Sequence, residues 1–223
     1  MAKRTSPCTD APRRCENGVP HGEENVLKWQ TIETKLLSRT PIFELRRQRS
    51  LHPRRGKRDF FVLKAPFWVN IIPLTPQGEV VMVRQYRHGV EAVTLEVPGG
   101  MVDQEDPNPL EAARREMCEE TGYDSTELIE LGSVHPNPAI LDNLCFSFLA
   151  RNVVRAGPKK LDSDEATRVV LYPLDRIPQL IAGGRITHAL VIAAFHLLTI
   201  HDGNNRGRRG RRTKLQANST SDT

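Results

Sequence analysis

At 223 residues the chain has room for one well-cored domain with tails, or at most two small ones. Hydrophobic content of 38%, mean hydropathy of −0.46 and a longest apolar stretch of only residues 189–200 argue against a membrane-spanning helix. With no apolar signal core at the N-terminus, the reading is a cytoplasmic protein. The formal charge of +5 is local, because residues 203–223 carry six basic groups against Asp222 while the rest of the chain nearly balances.

Residues 1–25 are polar, contain Pro7, Pro12 and Pro20, and read as a disordered leader. Residues 29–43 supply an opening strand or two. The basic stretch 46–58 (RRQRSLHPRRGKR), broken by Pro53 and Gly56, reads as a loop. Residues 60–63 and 67–74 are rich in aromatic and β-branched residues and predict strands. TPQG at 75–78 marks a turn, residues 79–86 a strong strand, 93–97 a short one, and PGG at 98–100 a tight turn. A helix then begins at Asn108, a good N-cap, with Pro109 at the first position and Glu111 three after the cap. Leu110, Ala113 and Met117 form its apolar stripe, and Gly122 terminates it. Strands follow at 128–134, 143–150 and 168–172, a short helix at 174–182 interrupted by Pro178, and a second clear helix at 187–200. The whole is one α+β domain over residues 26–202. Residues 203–223 read as a basic, disordered tail. Its favoured role is solubility, and contact with nucleic acid or another polyanion is the alternative.

Four cysteines, at 8, 15, 118 and 145, match neither a disulfide framework nor a zinc site, so reduced thiols are the simplest reading. The chemistry concentrates instead in RREMCEETGY, residues 114–123. Glu116 and Glu120 are four apart and share a helix face beside the apolar stripe. Like charges at that spacing cost about 0.2–0.5 kcal/mol, and negative groups near a helix C-terminus cost roughly another 0.3–1 kcal/mol. A hard divalent cation removes both penalties, since Mg²⁺ takes one or two carboxylates together with waters and substrate phosphates. The preceding Gly-Gly turn can bring backbone oxygen to the same ion. Arg115 can bridge to Glu119 or Glu111, both four residues away, and is poorly placed for Glu116 and Glu120.

The segment PGGMVDQEDPNPLEAARREMCEETGY resembles the Nudix box, the signature of Nudix hydrolases. The second half of that pattern is intact in Arg115, Glu116, Met117, Glu119, Glu120, Gly122 and Tyr123. The first half departs. Separated from Arg115 by seven residues stands Pro107 where the pattern has Glu, while Asp106 and Glu105 sit one and two residues too early. An insertion, placed at Asn108-Pro109, accounts for this and leaves the supporting role of the first acidic residue open. From about residue 29 to 200 the chain is similar to the ADP-ribose and nucleoside-diphosphate-sugar branch, through FWVNIIPLTPQGEVVMVRQYRHGVEAVTLEVPGG, HPNPAILDN and GRITHALVIAAF.

The resemblance implies a fold and a site. The fold is an αβα sandwich with a central mixed β-sheet, in dimers whose N-terminal strands cross to the partner, with residues 46–58 able to reach the neighbouring site. Glu116, Glu120 and the Gly99 carbonyl become ligands of Mg²⁺, or of Mn²⁺, with Glu119 a further ligand or a bridge through water. Arg115 orients the glutamates. Arg87, Glu96, Met101 and Asn137 fall to substrate binding, Glu96 also being near enough in pattern to join the metal site. The catalytic acidic residue is assigned to Glu165, with Asp164 next. The implied reaction is metal-dependent hydrolysis of the pyrophosphate bond in an NDP-sugar or ADP-ribose, giving nucleoside monophosphate and sugar phosphate. Removal of pyrophosphate from RNA 5′ ends and a non-catalytic nucleotide sensor are the rival readings. Structural roles are expected for His188 and Cys118.

Overall fold

The structure, a computed structural model, describes residues 28–157 and 167–218. The leader 1–25, with Cys8 and Cys15, and the segment 158–166, with Asp164 and Glu165, lie outside the described residues.

Three antiparallel strands open the chain: β1 (Gln30–Arg39), β2 (Glu44–His52) and β3 (Gly56–Lys64) form one sheet in the order β1-β2-β3. The expected loop at 46–58 is therefore a strand and a hairpin. The arginines are compatible with a strand because carboxylates stand across from them. Arg49 Nε donates to Asp59 Oδ1 at 2.8 Å, and Arg47 Nη2 to Glu33 Oε1 at 3.1 Å. Pro53 and Gly56, read as loop breakers, lie at the hairpin between β2 and β3, where His52 faces Gly56 at φ 67°.

The body is built on β4 (Trp68–Pro73), β5 (Glu79–Arg87), β6 (Ala92–Glu96), β7 (Gly99–Met101), β8 (Tyr123–Asp124), β9 (Glu127–Val134), β10 (Cys145–Arg151), β11 (Val154–Arg155) and β12 (Arg168–Pro173). The central sheet runs β7-β4-β10-β9, with β4 and β10 parallel and the other pairs antiparallel; β12-β5-β6 forms a second sheet, and β8 pairs with β11. Residues 98–100, expected as a turn, enter β7 directly, because Gly99 and Gly100 pair with Asn70 and Val69. Helix α1 spans Pro109–Thr121, α2 Ile177–Ala182 after a 3₁₀ turn at Leu174–Arg176, and α3 Ala189–Asn218.

Alternation along the strands makes two cores. Val69 and Ile71 of β4, Val81 of β5 and Phe146 and Phe148 of β10 pack under Ala112, Ala113 and Met117 of α1. Ile72, Val80, Met82 and Leu149 pack on the other side under Val191, Ala194, Phe195 and Leu198 of α3. A mixed sheet between helices is the expected αβα sandwich, and the parallel pair at its centre is buried on both faces.

The last helix runs past its expected end near residue 200, to Asn218. Gly203, Gly207 and Gly210 each disfavour helix, but the Arg, Lys, Leu, Gln and Ala around them are good helix formers. No helix among the described residues is long and apolar enough to cross a membrane.

Candidate active site

Helix α1 has the local chemistry expected of it. Asn108 Oδ1 accepts the Glu111 amide at 3.0 Å, Pro109 opens the helix, and Gly122 closes it in the left-handed region at φ 73°. Burial of Ala112, Ala113 and Met117 fixes the rotation of the helix, so its carboxylate edge faces β7. Glu120 is 2% exposed, and its Oε2 accepts the Gly99 amide at 3.2 Å. Glu116 lies against Gly100 so closely that a methyl group there would sit 2.6 Å from its carboxyl carbon. Glycine is needed at 100 because the carboxylate occupies the space of a side chain.

Arg115 ties this edge together. Its Nε and Nη2 donate to Asp106 Oδ1 and Oδ2 at 3.1 and 2.9 Å, and Nη2 also donates to the Met101 carbonyl at 3.1 Å. Nη1 donates to Glu116 Oε1 and Glu119 Oε2, each at 3.0 Å. The expected bridge to Glu119 is present. Contact with Glu116, judged unfavourable from helix geometry, is made because a guanidinium held at its far side by Asp106 lies across both acids. Asp106 is thus the acidic partner that the irregular spacing had left open, its side chain 8% exposed.

Hydrogen bonds from Arg115 hold the Asp106 carboxyl below the usual aspartate range, against the opposing push of burial and with help from the Asp103 amide and the Arg115 charge. A folded-state pKa below the unfolded one gives stability that is present above the unfolded value, about 3.9, and lost as pH falls through the folded value. In EDTA, urea unfolding of Asp106→Asn should show a loss of ~1.5 kcal/mol at neutral pH. The difference from the parent should shrink as pH drops below about 4. A difference that persists in acid would mean the pair does not act through its charge.

The other expected residues divide. Arg87 and Glu96 face each other across β5 and β6: Nε and Nη2 of Arg87 donate to the two Glu96 oxygens at 3.0 and 2.7 Å, and Thr94 Oγ1 donates to Oε1 at 2.6 Å. Burial pushes the Glu96 carboxyl up, but the Arg87 and Thr94 hydrogen bonds and the Arg87 charge outweigh it and hold it below its ordinary value. Gly99, Met101, Arg87, Arg115, Glu116, Glu119 and Glu120 share the wall of one cavity of about 630 Å³, closed on one side by Ile42, Phe43 and Leu63 of the N-terminal sheet. Glu96 instead lines an adjoining cavity of about 490 Å³. Asn137 lines neither cavity. It sits in an exposed turn, where its Oδ1 accepts the Ala139 amide at 3.3 Å. Cys118 is half-buried, its thiol raised to about 11 mainly by burial.

Whether a divalent ion fits can be judged from the donors. Among the described residues no three His, Cys, Asp or Glu side chains form a closed metal cluster. Two carboxylates beside a glycine strand on the wall of an open cavity are instead the open set that Mg²⁺ uses when phosphates and water complete its shell. The residues present fit such an ion.

Residues 66–195 match the family model described as the NUDIX domain. The chain is 28% identical over 142 residues to the ADP-ribose pyrophosphatase of Bacillus subtilis (strain 168), covering 63% of this chain and 76% of that protein. It is 29% identical over 136 residues to the GDP-mannose pyrophosphatase of Yersinia enterocolitica serotype O:8 / biotype 1B, covering 56% and 69%. Among solved structures, one described as an ADP compounds hydrolase superposes with a TM-score of 0.71 at 20% identity, over 80% of this chain and 96% of that one, which is a likeness of fold.

Proposed function

Because this chain belongs to the Nudix family, whose domain covers more than half of it, we propose that it hydrolyses the pyrophosphate bond of a nucleoside diphosphate joined to a sugar. An NDP-sugar or ADP-ribose would yield nucleoside monophosphate and sugar phosphate. The observation that carries this reading is the convergence of Glu116 and Glu120 on the Gly99–Gly100 strand at the wall of an open cavity. The names of the two pyrophosphatase relatives support the same class of substrate.

Glu116 and Glu120 would hold Mg²⁺, or Mn²⁺ in its place, with Glu119 and the Gly99 carbonyl completing the protein's share. Such an ion neutralises phosphate oxygens and ionises an attacking water. Arg115 keeps Glu116 and Glu119 in register, and its Asp106 clamp fixes the guanidinium that does so. Arg87, at the junction of the two cavities, is suited to accompany the phosphates while Glu96 holds its planar group in place. Glu165, or Asp164, remains our assignment for the acid–base group that handles the water proton.

The test is a panel of NDP-sugars, ADP-ribose and dinucleoside polyphosphates incubated with protein and Mg²⁺, with released monophosphate measured. Release from an NDP-sugar or ADP-ribose, abolished by EDTA, is the expected result. No release from any member would end the reading.

The N-terminal sheet supports a dimer. Ile42 and Phe61 are 54% and 57% exposed, and Ile32, Leu36, Leu37 and Phe60 are also open to solvent. So much apolar surface on one small sheet is typical of an interface. A second copy of this chain, exchanging N-terminal strands, is the proposed occupant. Arg46, Arg47 and Arg49 already pair with Glu44, Glu33 and Asp59 of their own sheet, so any reach into a neighbouring site would fall to Arg54, Arg55 or Arg58. Activity per chain should fall on dilution as a dimer species disappears in sedimentation. A monomer of unchanged activity over a wide dilution range would overturn this.

A further inference from the structure

The two cavities meet at Trp68, Arg87, Gly99, Gly100 and Met101. The larger holds the carboxylates. The smaller, about 490 Å³, runs behind the glycine strand to the start of α3. Two of its lining side chains carry buried polar atoms without a hydrogen-bond partner, Asn70 Nδ2 and His188 Nδ1. Asn70 is 8% exposed, yet sits on the central strand β4 between Val69 and Ile71, in the most apolar part of the sheet. A buried donor left unpaired costs free energy that an apolar residue at the same place would not. Two such atoms on one cavity wall, beside the cleft where a pyrophosphate would lie, call for a ligand that supplies their partners.

The chemistry of the wall limits that ligand. Arg87 and Glu96 neutralise each other in a bidentate pair. Burial, with the Arg87 charge, lowers the His188 imidazole against the opposing pull of Glu96, so the ring is neutral at pH 7 and can both donate and accept. The amide of Asn70 and the neutral imidazole of His188 belong to a cavity that Thr187 and the indole of Trp68 also line. These groups suit an uncharged molecule with several hydroxyls and C–H faces.

We propose that this cavity is the subsite for the sugar that departs as sugar phosphate, with Asn70 and His188 reading its hydroxyl groups. The proposal rests on the pyrophosphohydrolase reading above and names the part of the substrate that each cavity takes. The glycine strand then lies between the bond that is cut and the group that is recognised.

Asn70→Ala and His188→Ala, each checked for folding by circular dichroism, are compared with the parent on two substrates. One is GDP-mannose or ADP-ribose, whichever the parent cleaves better. The other is the matching nucleoside diphosphate methyl ester, which keeps base, ribose and pyrophosphate but lacks the sugar. Each variant is expected to lose at least ~10-fold in kcat/KM on the sugar substrate and to change little on the methyl ester, as when a site built to bond a hydroxyl loses its partner. Calorimetry with the free sugar phosphate product, mannose 1-phosphate for GDP-mannose or ribose 5-phosphate for ADP-ribose, should show the same weakening. Equal losses on both substrates, no loss on either, a loss that follows the base instead of the sugar, or only a lower melting temperature from a displaced buried water would each overturn the assignment. If the parent cleaves nothing, the enzymatic reading falls, and the calorimetric comparison still decides the subsite. If Asn70→Ala does not fold, His188→Ala carries the same comparison.

Discussion

Glu120→Gln is expected to lose at least ~10²-fold in turnover while keeping its fold. The side chain is 2% exposed and its Oε2 accepts the Gly99 amide; the isosteric carboxamide still offers an oxygen to that N–H. What disappears is one of two negative charges spaced i,i+4 at the end of α1. In EDTA the variant should be as stable as the parent or more so, because that repulsion, about 0.2–0.5 kcal/mol, is removed. Added Mg²⁺ should raise the parent's melting temperature by mass action and leave the variant's nearly unmoved. Near-normal turnover in the variant would show that the metal site is misplaced, and equal thermal responses to Mg²⁺ would show that Glu120 does not hold the ion.

The adjacent glycines should fail in different ways. At Gly100 the atoms nearest an added methyl group all belong to the Glu116 side chain, with Cδ at 2.6 Å and one oxygen at 2.9 Å. The carboxylate can swing aside, so Gly100→Ala should keep most of its stability and lose ~10²-fold or more in kcat/KM, the size of effect expected when a catalytic group is displaced by about 1 Å. At Gly99 the methyl group meets backbone: the Val69 carbonyl oxygen and, at 3.1 Å, the Asn70 Cα, with the Asn70 amide oxygen at 2.7 Å. The amide can turn, but the two backbone atoms cannot. Gly99→Ala should separate β7 from β4 and cost ~3 kcal/mol or more, in the range that marks overpacked cores. Urea unfolding and kinetics on both variants check the contrast. A Gly100→Ala protein as active as the parent would mean that Glu116 does not need its place beside the strand.

The parts of this site written in neighbouring residues were legible before the structure. Asn108, Pro109 and Gly122 bound α1 within its own sequence, and the capping hydrogen bond spans only three residues. The Arg115–Glu119 pair likewise follows from helix spacing. What escaped depends on residues brought together from a distance or on spacing that the chain has altered. The basic run at 46–58 looks like a loop until Glu33 and Asp59 stand across from its arginines. Asp106 lies one residue early for its role, and its Arg115 clamp identifies it geometrically. Asn70 reads as one polar residue in an apolar strand, and its unpaired amide appears only when β4, β7 and the start of α3 enclose a cavity. Asn137 shows the reverse: its motif drew attention, but the structure gives it local turn chemistry. Glu165 and Asp164 stay as proposals, tested by their carboxamide variants in the same panel.

The parallel pairing of β4 with β10 has a consequence for the birth of the molecule. Trp68 is in register with Cys145, so the middle of the sheet closes only after two strands 77 positions apart in the chain have been brought together. Such distant pairing is slow, since the entropy of ring closure comes before any reward from contact. A ribosome-bound fragment ending between α1 and β10 has the helix and its acids, yet no β10 to complete the sheet they are set against. The cleft therefore cannot be set before β10 has emerged, well after the acids of α1 have been made.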